Sequence, residues 1–194
     1  MTDIDPKWIR VSHILAMIPS QSPDGKWGYP MYNINEGVLQ RKADLGTSVH
    51  KAIKAHVMNE FIPITDKEEK YFESYLKWEK ATCLQPVDPE KRLYDQHMNL
   101  TGCIDMLANF KGSASLFITD FKCTVAADST KWPIQAALYK LLADLNNIKV
   151  DNTALFVQLD SNGDMPKVHK YEVDKKLIST AISWYNAYCY LTAK

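Results

Sequence analysis

The sequence predicts an α/β protein with a central mixed β-sheet flanked by α-helices. Three observations lead there. The element signals run helix, helix, three strands, helix, two strands, helix, an order that suits helices packed on both faces of one sheet. The stretch Thr101–Thr124, TGCIDMLANFKGSASLFITDFKCT, reads as a hairpin that is apolar on both faces, and such a hairpin belongs inside a layered protein. The helical segments carry apolar residues at helical spacing, so each has a face to bury.

Residues 11–18, VSHILAMI, read as a short helix or turn ended by Pro19, and SQSPDGKWGYP, with two prolines and two glycines, reads as a loop. A helix is expected from about Asn35 to Asn59, with Val38, Leu45, Val49, Ile53 and Val57 as its stripe. Gly46 lies within it at a cost of about 1 kcal/mol against alanine. Close approach of another backbone or of a ligand would explain its presence. Thr65-x-x-Glu68 is a capping box that opens a helix to about Cys83, with Tyr71, Phe72, Tyr75, Leu76 and Trp78 as buried candidates. Pro86 and Pro89 break that helix, and a strand follows at about Lys91–Met98, leading through Asn99-Leu100 into the hairpin. Pro133 fits the first turn of the next helix, which carries Leu138, Leu141, Leu142 and Leu145 and stops near Asn147. Residues 153–159 and 167–173 are strands around the turn Asp160-Ser-Asn-Gly-Asp. The final helix, from about Asp174 to Leu191, has Leu177, Ile178, Ile182, Trp184, Tyr185 and Tyr188 as candidate core.

With 194 residues the chain suits a single domain, helical over about 1–85 and sheet-based over about 90–194. Composition is that of an ordinary globular chain, 46% hydrophobic and 24% charged. Net charge is zero, so no global field draws it to nucleic acid or membrane, and a nucleic-acid partner needs a local basic surface. No apolar run approaches a membrane span, and MTDIDPKWIR lacks the shape of a signal peptide. The four cysteines are far apart with no C-x-x-C, which gives no support to zinc ribbons or the usual iron–sulfur spacings. A reduced, cytoplasmic setting is expected.

Counting outward from a Gly112-Ser113 turn, Lys111 faces Ala114, Phe110 faces Ser115 and Asp105 faces Asp120. Directly opposed residues lie roughly 4.5–5.5 Å apart at Cβ, where like charges repel. With period-two alternation Lys122 shares the face of Asp120, together with Leu107, Leu116 and Ile118. Ile104, Met106, Phe117 and Phe121 take the other face. Two buried carboxylates need compensation, and a divalent cation between them, with Lys122 beside it, supplies it. Hard cations such as magnesium bind through one or two carboxylates plus substrate phosphate. Such an ion polarises a phosphoryl oxygen and acidifies a bound water, while the lysine holds that water or neutralises developing charge. The other reading of the residues makes the two acids edge groups that simply pair with Lys122.

Asp105 followed by Asp120-Phe121-Lys122 resembles the D…(D/E)-x-K signature of the PD-(D/E)XK nuclease superfamily. GCIDML resembles the G-x-x-D-hydrophobic motif of its RecB-like exonuclease branch, and ITDFKCT that branch's I-x-D-x-K-T-x. GTSVH, from Gly46 to His50, resembles its G-x-x-x-H helix motif, and WPIQAALY, from Trp132 to Tyr139, its Q-x-x-x-Y helix motif. The four motifs stand in the family's order. One departure is Asp120, where glutamate is common although aspartate also occurs.

The resemblance implies a restriction-endonuclease-like core and assigns roles. Asp105, Asp120 and His50 would hold one or two Mg²⁺ or Mn²⁺ ions. Lys122 would position the attacking water, and Gln135 and Tyr139 would orient the lysine or contact DNA. Glu90 loosely matches an auxiliary acidic position. Members with an iron–sulfur cluster carry extra cysteines in a spacing that this chain lacks. Arg41, Lys42, Lys51 and Lys54 form either a basic rim for DNA or a solvated helix face. The resemblance further implies a metal-dependent deoxyribonuclease, an exonuclease of phage recombination or DNA end processing in the bacterial host's cytoplasm. Its substrate is single- or double-stranded DNA, with a recombination or single-strand-binding protein as candidate partner. The competing functions are a non-catalytic nucleic-acid- or partner-binding module on the same fold, and an endonuclease of restriction or nicking type.

Overall fold

The computed structural model describes residues 8–21, 27, 28, 36–110 and 115–193. In chain order these form β1 (Ile9–Arg10), α1 (Val11–Met17), β2 (Ser20–Gln21), β3 (Trp27–Gly28), α2 (Glu36–Val57), α3 (Asp66–Thr82) and β4 (Leu84–Asp95). Then come β5 (Leu100–Phe110), β6 (Leu116–Lys122), α4 (Lys131–Leu145), β7 (Val150–Gln158), β8 (Lys167–Glu172) and α5 (Lys175–Thr192). Six strands make one mixed sheet in the order β1-β5-β6-β7-β8, with β4 paired on β5, while β2 and β3 form a separate two-stranded ladder. Pairing is parallel at β1–β5 and β6–β7 and antiparallel elsewhere in the large sheet. The expected α/β architecture is therefore observed.

Helices cover both faces because their apolar stripes require it. On one face α1, α4 and α5 bury Val11, Ile14, Leu138, Leu142 and Ala181 against Leu107, Ile118, Ala154 and Phe156. On the other, Val49 and Ile53 of α2 and Tyr75 and Trp78 of α3 pack on Met106, Ala108, Phe121 and Val157. Thr65 caps α3 as the sequence requires, with the Glu68 carboxylate accepting from the Thr65 amide at 2.6 Å. Asp174 caps α5 through the Leu177 amide at 2.7 Å. Pro133 falls in the first turn of α4, where its missing N–H costs no hydrogen bond. The Asp128 carboxylate takes the Lys131 amide there at 2.8 Å. Trp184, Tyr185 and Tyr188 pack against the α1/α4/α5 core, and Asp160–Asp164 is a turn with Gly163 at φ +81°. Among the described residues no helix is long and apolar enough to cross a membrane.

Several local expectations are corrected. The strand expected from about Lys91 begins earlier, at Leu84, and includes Pro86 and Pro89. It pairs with β5 alone, so it is an edge strand, where a proline's absent N–H can face away from the ladder. The register shifts between Pro86 and Asp88. The strands β1, β2 and β3, two residues each, lie in segments read as flanks and loop. The side chain of Val38 and the turn residues 111–114 lie outside the described residues. The register of the hairpin is nevertheless the counted one, with Met106 on Thr119, Leu107 on Ile118 and Ala108 on Phe117.

One face assignment is reversed. Ile104 joins the cluster of Leu107 and Ile118 and not that of Met106 and Phe121. Gly102 also faces that way, since a Cβ there would come within 3.0 Å of Leu142, Tyr139 and Val11 side chains. Alternation along β5 thus breaks at Asp105. Across the ladder, Pro89 pairs with Met106 and Lys91 with Ile104, which leaves Glu90 opposite Asp105 at φ +52°. A left-handed residue inside a strand interrupts the pleat, so the side chains on either side of it no longer keep one phase.

Two glycines give opposite predictions. Among the described residues nothing lies within 4 Å of a Cβ built on Gly46, so backbone packing does not explain that glycine. Gly46→Ala is expected to raise the unfolding free energy by about 1 kcal/mol through helix propensity. Gly102→Ala is expected to lower it by about 1–3 kcal/mol by overfilling a closed site. Urea melts of the two variants check both signs.

Candidate active site

The site is assembled where the middle of β5 meets the end of β6, and the aromatic core sets its aim. Phe121 is held edge-on by Tyr75 and Trp78, with ring centroids 5.3 and 5.9 Å away. Because side chains alternate along a strand, fixing Phe121 towards α3 turns Asp120 and Lys122 towards α4. There the Lys122 ammonium lies 2.5 Å from Asp120 Oδ2, an ion pair that favours the charged carboxylate. It donates to Gln135 Oε1 at 3.0 Å and sits 5.3 Å from the centre of the Phe156 ring. Gln135 Nε2 donates to Asp120 Oδ1 at 2.8 Å and to the Tyr139 hydroxyl at 3.0 Å. One amide thus orients carboxylate, ammonium and phenol together, which is the work that the i, i+4 spacing of Gln135 and Tyr139 permits.

Asp105 is anchored from the other helix layer. Its Oδ2 accepts the Phe121 amide at 2.8 Å, and its Oδ1 lies 3.4 Å from His50 Nδ1. His50 Nε2 is 2.9 Å from the Phe121 carbonyl. Both ring nitrogens face acceptors, an arrangement that favours the doubly protonated imidazolium.

The electrostatics follow from burial. For His50, burial alone pulls the pKa down, but the Asp105 carboxylate outweighs it and the net result is a rise to about 9. Burial pushes Asp105 up, but the His50 imidazolium, then Lys122 and the Phe121 amide, bring it below the usual carboxylate range. Asp120 moves the other way: burial and then the charge of Asp105 push it up, only partly opposed by Lys122. Tyr139 is driven well above its ordinary value by burial and by both aspartates, so its hydroxyl stays neutral. Two acids of the same type in one site are thereby pushed apart, a common feature of catalytic centres.

A folded-state pKa raised above the unfolded value gives stability that is complete below the unfolded pKa and lost as pH rises through the folded one. In chelator, His50 should therefore stabilise the fold relative to His50→Gln by about 2 kcal/mol near pH 6. That advantage should vanish as pH passes through about 9. Denaturant melts of both proteins at pH 6 and pH 10 measure it, and an unchanged gap contradicts the assignment.

The donor set fits a hard divalent ion. Two carboxylates and an imidazole are donor types such an ion takes, their charges act on one another, and the carboxylates repel. As arranged here the groups are spoken for by Lys122, Gln135 and His50. Among the described residues no three His, Cys, Asp or Glu side chains are gathered closely enough to hold an ion. Binding would require those internal partners to yield.

The remaining candidates lie around this centre. Lys54 is drawn into an ion pair with Glu90 at 2.8 Å, while Arg41, Lys42 and Lys51 are exposed on α2 and make no ion pair among the described residues. The Phe121 peptide, which bonds both Asp105 and His50, is not legible in the sequence, because a backbone group leaves no signal in residue type.

A sequence profile of the PD-(D/E)XK nuclease superfamily matches residues 63–187. The chain belongs to the PD-(D/E)XK nuclease superfamily. Members of this superfamily generally use divalent metals and act on nucleic acid. No curated protein matches significantly. Among solved structures, the alkaline exonuclease LHK-Exo of Laribacter hongkongensis superimposes with a TM-score of 0.51 at 10% identity, covering 95% of this chain and 87% of that one. A protein assigned as an exonuclease from Eubacterium rectale superimposes with a TM-score of 0.54 at 9% identity, covering 93% and 78%. At such identities the likeness is one of fold. In this chain the two acids stand on adjacent strands, the lysine two residues after the second acid, and His50, Gln135 and Tyr139 on helices.

Proposed function

We propose that this chain is a metal-dependent DNA exonuclease that hydrolyses phosphodiester bonds as a single nuclease domain. The observation that carries the proposal is the buried array Asp120–Lys122–Gln135 at the end of β6, with Asp105 on the neighbouring strand and His50 on α2. Membership of the nuclease superfamily supports the reaction class. The fold shared with an alkaline exonuclease supports the choice of exonuclease, and with it a role in recombination or DNA end processing. A single-strand-binding or recombination protein is the partner that such a role calls for.

Asp105, Asp120 and His50 would hold Mg²⁺ or Mn²⁺. The bound ion would supply Lewis-acid activation of the scissile phosphate and of the attacking water. The protein's own groups do the positioning. Lys122 Nζ, kept in line by Gln135 Oε1, holds the water oxygen and offsets charge that builds on the phosphate oxygens. Gln135 prevents Asp120 from turning away. Tyr139, neutral at all working pH values, fixes the Gln135 amide without adding charge. Exposed Lys51, with Arg41 and Lys42, offers phosphate contacts along α2, and among the described residues nothing lies within 4 Å of a Cβ built on Gly46, one turn from His50.

End-labelled linear duplex, single-stranded DNA and closed circular DNA, each with Mg²⁺, Mn²⁺ or EDTA, test the proposal. Mono- or short oligonucleotide release from linear DNA is expected with either ion and none in EDTA. Cleavage of closed circles would make it an endonuclease, and binding without cleavage under all conditions would make it a recognition module.

A further inference from the structure

Lys122 is the last residue of β6, and the end of a strand is where pairing is lost first. Its carbonyl still accepts from the Leu159 amide at 2.9 Å. Past that point a side chain takes over from the backbone ladder. The Gln158 amide nitrogen donates to the Thr124 carbonyl at 2.7 Å. Gln158 is the register partner of Lys122 on β7, so the two side chains leave the sheet on the same face. It is buried, and a buried amide needs partners at both ends. Its Oε1 lies 3.1 Å from His169 Nε2 on β8. Because the Thr124 carbonyl can only accept, the amide nitrogen must face it, and the His169 ring nitrogen is then the donor to Oε1.

His169 is held in turn. Its ring meets Trp132 edge-on at 5.2 Å, and Trp132 stacks on Phe156 at 5.7 Å. Phe156 is the ring beside the Lys122 ammonium, and Trp132 stands one turn before Gln135 on α4. Residues 123–130 join the strand of the lysine to the helix of that glutamine. The Asp128 carboxylate secures the far end of this segment through the Thr130 and Lys131 amides, and Gln158 secures the near end.

We propose that Gln158, oriented by His169, is a positioning residue for Lys122: it extends the ladder past the last residue of β6 and so fixes the lysine against Gln135 and Asp120. It acts through the backbone of residues 122–124 and not on the reacting atoms. The inference rests on the nuclease reading and adds to it what keeps the lysine from fraying with its strand.

Gln158→Leu removes both bonds and keeps most of the bulk. Gln158→Glu keeps the shape and the bond from His169 but has no donor for Thr124. Circular dichroism melts confirm that each is folded, and the glutamate variant decides if the leucine variant is not. Both are expected to lose roughly tenfold in single-turnover cleavage with Mn²⁺, with DNA affinity in Ca²⁺ unchanged. His169→Phe should fall between them and the parent. The decisive reading is a double-mutant cycle. In a Lys122→Ala background Gln158→Glu should cost nothing further, because there is no lysine left to place. The same loss in both backgrounds, or parent rates in both Gln158 variants, would overturn the inference. Amide hydrogen exchange of the peptide covering 123–130 reads the clamp without catalysis, and should be faster in both variants. If the parent cleaves no DNA and this exchange still quickens, the clamp stands and the nuclease reading falls. Unchanged exchange would sink the clamp whatever the activity.

Discussion

Lys122→Ala is expected to lower the rate of DNA hydrolysis by roughly 10³-fold while leaving the fold intact, the scale typical of removing a positioned acid–base or charge-stabilising group. The reason lies in how few partners this ammonium has and how closely they hold it. It reaches Asp120 at 2.5 Å and Gln135 at 3.0 Å, so its nitrogen has one place to stand. Lys122→Arg should not restore the rate, because a planar fork cannot put a single point donor there. Gln135→Leu should cost much less, about tenfold, since the lysine remains but loses its guide. Single-turnover assays at saturating DNA separate these effects from binding. A Lys122→Ala enzyme within tenfold of the parent would remove the lysine from the chemistry.

Asp105→Asn and Asp120→Asn should both abolish cleavage, by roughly 10³-fold or more, since both carboxylates are needed for the ion. In chelator they should separate by sign. Asp105 is held below its ordinary pKa by His50, Lys122 and the Phe121 amide, so its charge stabilises the fold at neutral pH. Asparagine there should cost about 1–3 kcal/mol. Asp120 is raised by burial and by Asp105, so keeping its charge at neutral pH costs stability. Its asparagine variant should melt no lower than the parent, and should be the less dependent on pH between about 4 and 7. Differential scanning calorimetry with and without Mn²⁺ reads both. The ion should raise the parent's melting temperature and leave the two variants unmoved. A common destabilisation of both variants would mean that the pair is an ordinary structural ion cluster.

Much of this site can be seen in one dimension, because its parts are local in the chain. The spacing of Asp120 and Lys122 puts both on one strand face, and that of Gln135 and Tyr139 puts both on one helix face. Turn counting sets Asp105 against Asp120, since a hairpin register is fixed by its loop. The same local rules supply the Thr65 cap and the position of Pro133. They place the start of β4 too late, because an edge strand tolerates prolines and nothing local says that β4 lies at an edge. They fail at Ile104, because period-two counting assumes an unbroken pleat and cannot anticipate a left-handed residue on the partner strand.

The sequence by itself determined the α/β class, the two carboxylates and the lysine, and the helices that serve them, since each depends on periodicities of two or 3.6 residues. Only the tertiary structure decided how the two acids differ. Their charges are set by what packs around them, and His50, the Phe121 peptide and Gln135 come from segments 15 to 71 positions away from their partners or from backbone that no residue code records.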